Sequence, residues 1–206
     1  MYVESIKVLK KKYCLEEGFK IEDALPITLL VGDQGCGKST LLSLMNSEGY
    51  DPSKIEVGLS KLGLKGVNTF FFDSESMNPR VAPDHNYYDV KGRSVGIGMA
   101  GKIQSFFESH GETLLNFTVR GINQAEGVVM FFDEPESALS VRSQLALVDA
   151  IQKASDERQC QFFIATHCMP LIESQEKAYS LEHRKWMTSK EFIDSQKEPK
   201  EEKIAD

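Results

Sequence analysis

Ile27-Thr28-Leu29-Leu30-Val31-Gly32-Asp33-Gln34-Gly35-Cys36-Gly37-Lys38-Ser39-Thr40 is the stretch whose reading decides the fold. Its first five residues form an apolar run suited to a buried strand, and Gly32 to Ser39 complete the pattern G-x-x-x-x-G-K-S. Ser39-Thr40-Leu41-Leu42-Ser43-Leu44 then has the make-up of a helix start. Strand, glycine-rich turn and helix in this order make a phosphate loop. The glycines let backbone N–H groups curl around phosphate oxygens, and the helix adds the positive end of its dipole. Lys38 is spaced to reach the β- and γ-phosphates and the Ser39 hydroxyl to ligate Mg²⁺, while Gly32, Asp33, Gln34, Gly35, Cys36, Gly37 and Thr40 form the cradle. These residues imply a site for a nucleoside triphosphate.

The rest of the chain sets bounds on that site. A length of 206 residues suits one globular domain, and 41% hydrophobic content is ordinary for a soluble protein. No stretch approaches the roughly 20 apolar residues that span a bilayer, so direct membrane insertion is not expected. Met1-Tyr2-Val3-Glu4-Ser5-Ile6 lacks the layout of a secretory signal, and Cys14, Cys36, Cys160 and Cys168 form no C-x-x-C pair. Reduced thiols in a cytoplasmic protein are expected. A net charge of −7 argues against a general nucleic-acid coat, and Lys10-Lys11-Lys12 reads as a solvated strand end.

Strands come first and helices later. Tyr2 to Leu9 alternates as a strand, and Phe19 to Val31 holds one or two more around Pro26. A helix follows the phosphate loop to about Asn46, and Val67 to Asp73 is a buried strand centred on Phe70-Phe71-Phe72. Residues 74–101 read as loops and Lys102 to Glu108 as a short helix. Glu112 to Ile122 reads as a second helix, with Leu114, Leu115, Thr118 and Ile122 on one face. Val128–Phe132 and Gln161–Ala165 are further buried strands, and between them Val141 to Glu157 is a helix with Leu145, Val148, Ile151 and Ala154 inward. A strand-turn-helix ending is expected over Leu181–Ile193, with Thr188 or Ser189 as helix cap and Glu191 in the first turn. Residues 1–196 form the expected domain, and 197–206 a charged, disordered tail. The expected fold is α/β, with a mainly parallel central sheet covered on both faces and N-terminal antiparallel strands.

A second chemical pattern is Val128-Val129-Met130-Phe131-Phe132-Asp133-Glu134, an apolar strand ending in two carboxylates. On a strand beside the phosphate loop, Asp133 would hold Mg²⁺ through water or Ser39. Glu134, turned the other way, could orient and deprotonate an attacking water. Cys160, His167 and Cys168 match no zinc spacing. No Asn-Lys-x-Asp element follows the loop, which argues against a switch GTPase.

Phe132-Asp133-Glu134-Pro135-Glu136-Ser137-Ala138-Leu139-Ser140 resembles the Walker B and D-loop segment of ABC-type ATPases, and Ile164-Ala165-Thr166-His167 resembles their switch-histidine strand. Ser109-His110-Gly111-Glu112 takes the place of the Leu-Ser-Gly-Gly-Gln signature, with Ser109 and Gly111 matching. Ser109 and Glu112 also read as a simple capping box. The variant is most similar to small stand-alone bacterial and phage AAA-family ATPases with heads like those of SMC and DNA-repair proteins. That resemblance implies a P-loop NTPase with a short helical lobe, ATP and Mg²⁺ as ligands, and His167 on the γ-phosphate. It also implies a head-to-tail homodimer in which Ser109 and Gly111 face the partner's nucleotide. The family's glutamine after the third core strand is absent, and Glu75 of Asp73-Ser74-Glu75 takes its metal or water contact. Tyr13 is the candidate for stacking on adenine, or equally a surface tyrosine.

Some thirty residues between Glu75 and Ser109 leave no room for a coiled-coil arm, and a permease-gripping lobe would be cramped. Three classes of function remain open. The first is an ATP-dependent dimerisation switch acting on DNA or a nuclease or effector partner. The second is the ATPase subunit of a membrane transporter. The third is a non-hydrolysing assembly module, against which Asp133, Glu134 and His167 stand.

Overall fold

The computed structural model describes residues 3–46, 51–59, 69–73 and 110–197. The strand expected at the N-terminus is β1 (Val3–Val8), and the following stretch divides at Pro26 into β2 (Lys20–Ile21) and β3 (Ile27–Val31). After the phosphate loop come α1 (Lys38–Met45), β4 (Ile55–Leu59) and β5 (Thr69–Asp73). The second half holds α2 (His110–Gln124), β6 (Val129–Asp133), α3 (Val141–Arg158), β7 (Gln161–Ala165) and α4 (Met169–Ser174). A hairpin of β8 (Lys177–Ser180) and β9 (Lys185–Thr188) leads into α5 (Ser189–Ser195). The loops expected at 74–101, the helix at Lys102–Glu108 and the tail beyond Lys197 lie outside the described residues.

The main sheet has the order β5-β6-β7-β3-β8-β9, parallel throughout except for the antiparallel β9. The carboxylate-bearing strand β6 is separated from β3 by β7, yet its end lies beside the phosphate loop, where Asp133 meets Ser39. A smaller antiparallel sheet, β2-β1-β4, makes the second layer.

The period of two along each strand assigns side chains to the two faces of the main sheet. Met130 and Phe132 of β6, Leu29 and Val31 of β3, and Phe162 and Ile164 of β7 pack with α2–α5. Val129 and Phe131, Leu30, and Phe163 and Ala165 face the other way, against α1 and the small sheet. Both faces are therefore covered, and near-continuous apolar strands are what a doubly covered parallel sheet requires.

Helix α3 departs from its expected face. Leu147, Ile151 and Ala154 form the buried stripe with Val148 at its margin, whereas Leu145 is 53% exposed. Leu145 sits two residues, about 200° of helical turn, from Leu147, so both cannot face the sheet. The C-terminal ending also differs in detail. Leu181–Arg184 form the turn of the β8–β9 hairpin rather than a strand, and Thr188 then caps α5 in a full capping box with Glu191. Trp186 packs edge-on to Tyr179 and donates its Nε1–H to the Glu22 carbonyl at 2.9 Å, which makes it a structural residue.

Gln161 fastens the small sheet to the large one. Its buried amide accepts from the Val3 N–H at 2.8 Å and donates to the carbonyls of Val3, at 2.8 Å, and Leu25, at 3.2 Å. Leucine there would leave those main-chain groups buried without partners. Gln161→Leu is expected to cost about 2–4 kcal/mol in urea denaturation, and a loss under 0.5 kcal/mol would contradict this role.

Candidate active site

The C-terminal ends of β3, β7 and β6 lie side by side, with Leu30 opposite Ala165 and Ala165 opposite Asp133. Loops leaving this edge of a parallel sheet converge on one crevice. The phosphate loop, the Asp133-Glu134 pair and Thr166-His167 all leave from it.

In the phosphate loop, Gly37 has φ +108, and a Cβ there would come within 2.8 Å of Leu15 Cδ2 and 3.0 Å of Cys14 Sγ. Only glycine serves, because the backbone is left-handed and the turn holding Cys14 and Leu15 presses on it. Gly37 is also the N-cap of α1 and offers no side chain to its first turn. A ligand can therefore meet the helix's unpaired N–H groups directly.

Lys38 is 5% exposed, its ammonium donating to the carbonyls of Gly32 at 3.0 Å and Asp33 at 2.9 Å. Those bonds hold the charge over the loop where phosphate would sit. Ser39 Oγ donates to Asp133 Oδ1 at 3.0 Å, joining the start of α1 to the end of β6. A hydroxyl and a carboxylate in contact are hard oxygen donors, a set that fits Mg²⁺. Among the described residues no group of three or more His, Cys, Asp or Glu gathers as an all-protein metal cage. Magnesium beside a nucleotide does not need one, since phosphates and water supply its other ligands.

Glu134 has left-handed backbone, φ +46, and its N–H is held by the Ala165 carbonyl at 2.9 Å. Such a conformation costs a non-glycine residue about 1 kcal/mol or more and turns the side chain away from the strand's regular alternation. Its Oε1 lies 3.7 Å from His167 Nε2, too far for a direct hydrogen bond, with both side chains nearly half exposed. The two reactive candidates thus stand together at the open edge of the sheet.

Behind them lies a residue that the motif reading passed over as part of a loop. Glu136 Oε1 accepts from Thr166 Oγ1 at 2.7 Å and from the His167 N–H at 2.8 Å, and its other oxygen is buried with no hydrogen-bond partner. Burial is the largest influence on this carboxyl and pushes its pKa up, against the lowering effect of those bonds. A raised folded pKa means the folded chain holds the proton more tightly than the unfolded chain. The contribution of Glu136 to stability is then most favourable below its ordinary value of 4.5 and is lost as pH rises through the raised value. The stability of Glu136→Gln relative to wild type should accordingly climb from pH 4 to pH 7. A difference that stays flat or falls would contradict the shift.

The remaining candidates divide. Tyr13 is 79% exposed, at φ +53, on the same turn whose Leu15 abuts Gly37. It is thus an unburied aromatic close to the phosphate loop. Gly111 lies in the first turn described for α2, whereas Ser109 and Glu75 lie outside the described residues. Cys160 and His167 flank opposite ends of β7, about 20 Å apart at strand rise, which removes a shared metal site. Burial pushes the Cys168 thiol up to about 11. It also raises the pKa of Cys36, although Lys38 pulls that thiol the other way.

No family model and no curated protein matches the sequence. Solved structures match its fold. One is described as a metal-chelate type ABC transporter in an inward-facing conformation, with TM-score 0.52 and 18% identity over 94% of this chain and 86% of that one. Another is the ADP conformation of an ATP-binding cassette of an ABC transporter, with TM-score 0.57 and 12% identity over 92% of this chain and 88% of that one. The fold is accordingly that of the ABC-type P-loop ATPase cassette.

Proposed function

We propose that this chain is a Mg²⁺-dependent ATP hydrolase of the ABC type, acting as a switch that closes into a head-to-tail homodimer on ATP and reopens on hydrolysis. The contact that carries the reading is Ser39 Oγ to Asp133 Oδ1, made across 94 residues of chain at the mouth of a phosphate loop. Lys38 and the loop amides hold the phosphates, and Ser39 and Asp133 hold the metal. Magnesium, when bound, neutralises charge on the β- and γ-phosphates. Glu134 takes the proton from an attacking water. His167, at 3.7 Å from it, orients that water and contacts the γ-phosphate. Tyr13 stacks on adenine, Glu75 adds a water or metal contact, and Ser109 and Gly111 of a second copy close the site. In-line phosphoryl transfer asks for little beyond this positioning and charge.

The solution mass of the Glu134→Gln protein tests the switch. Light scattering should give one chain of 23.1 kDa without nucleotide and twice that with Mg·ATP. A mass that does not change despite bound ATP would count against Ser109 and Gly111 acting in trans.

For the output of the switch, DNA or a nuclease or effector partner remains the first reading, resting on the Asp-Glu-Pro-Glu and Ser-His-Gly-Glu variants. A transporter ATPase is the second, and the solved structures favour it at least as well. The alignments span 86% and 88% of those transporter-derived chains, while the short segment between Glu75 and Ser109 stands against a full permease-gripping lobe. ATP turnover stimulated by duplex DNA would support the first reading. Stimulation only by a co-purifying membrane protein would support the second.

A further inference from the structure

The segment after β6 is built to send one side chain backwards. Glu134 and Ala138 are both left-handed, at φ +46 and +63. Between them the Ser137 N–H bonds to the Glu134 carbonyl, and the Leu139 N–H to the Glu136 carbonyl, each at 3.0 Å. Two tight turns on non-glycine residues are costly unless the surroundings enforce them. What they achieve is to place Glu136 beneath the end of β7. Its single partnered oxygen there accepts from the Thr166 hydroxyl and from the His167 main chain. The same Thr166 hydroxyl accepts from the Cys168 N–H at 2.9 Å, so the turn carrying His167 is held on both sides. A second tie runs in parallel: Gln144 donates to the Leu139 carbonyl at 3.2 Å and accepts from Cys168 Sγ at 3.5 Å.

We infer that Glu136 is a positioning residue, which grips the backbone of His167 from below while Glu134 faces its imidazole from above, so that the segment 134–140 and the histidine turn move as one body. A carboxylate buried without a partner for its second oxygen is a costly choice for a loop whose only task is to turn. The arrangement becomes intelligible if the cost holds His167 and Glu134 in mutual register. The inference rests on the ATPase reading, in which both act on one water. It goes further by assigning the link between them.

The test compares Glu136→Ala and Glu136→Gln with wild type in steady-state ATP hydrolysis. Alanine should lower kcat about ten- to a hundredfold with KM within about twofold, because binding groups are untouched while the water's partners are displaced. Glutamine offers the same carbonyl oxygen to Thr166 and His167 and should recover most of the turnover. Equal kcat for alanine and wild type would overturn the inference, as would a glutamine variant no better than alanine. If Glu136→Ala fails to fold, Thr166→Val against Thr166→Ser decides the matter: valine should lose turnover and serine keep it, and equal rates would overturn the proposal. A wild-type chain that hydrolyses no ATP would instead refute the ATPase reading itself, so the two failures are separable.

Discussion

Replacing Glu134 with glutamine is expected to slow ATP turnover about a thousandfold while nucleotide affinity stays within about twofold of wild type. Glutamine keeps the volume and the left-handed backbone at this position but cannot accept the water's proton. The expectation follows from the placement of Glu134 at the exit of β6 with its carboxylate facing His167. Phosphate-release rates alongside equilibrium titration with a fluorescent ATP analogue check both halves. Turnover within tenfold of wild type would remove Glu134 as the base, and a parallel loss of affinity would recast it as a binding residue.

Lys38→Ala is expected to weaken Mg·ATP binding about a hundredfold, equivalent to about 2.7 kcal/mol. The ammonium is nearly buried and held by the carbonyls of Gly32 and Asp33, which fixes its charge at the proposed phosphate site. Hydrogen bonds to charged groups are worth about 1.5–3 kcal/mol each, and losing one or two accounts for the expected change. Isothermal titration calorimetry gives the answer directly, with a thermal melt to show that the variant is folded. Unchanged affinity in a folded variant would undo the phosphate-loop assignment.

The parts of this protein legible in its sequence are those written locally. A glycine needed at φ +108, a lysine and a hydroxyl follow one another within eight residues, and their spacing alone implied a phosphate cradle. The apolar strands were equally plain, since both faces of the main sheet are covered and most positions of β3, β6 and β7 are hydrophobic. Strand order was not legible in the same way. That β7 separates β3 from β6 depends on pairings across more than a hundred residues, to which no short window is sensitive. Leu145 was misassigned because an apolar residue counts for a helical face whichever way it points, and here the stripe runs through Leu147, Ile151 and Ala154.

The same distinction separates the site from its supports. Glu134 and His167 announce themselves by motif, but Glu136 is one more acidic residue in an acidic turn until Thr166 and His167 are seen to close on it. Gln161 likewise reads as the polar first residue of a strand, and only the pairing of β1 with its neighbours gives its amide three partners. Both bury polar atoms, whose purpose lies in what the fold brings to them.

Phosphate release from ATP by the purified wild-type chain, measured with Mg²⁺ and again after chelation, tests the account at its centre. Turnover that requires Mg²⁺, and disappears in Glu134→Gln and Lys38→Ala prepared in parallel, is the predicted result. A folded wild-type chain that releases no phosphate, or that does so equally in both variants, would contradict it.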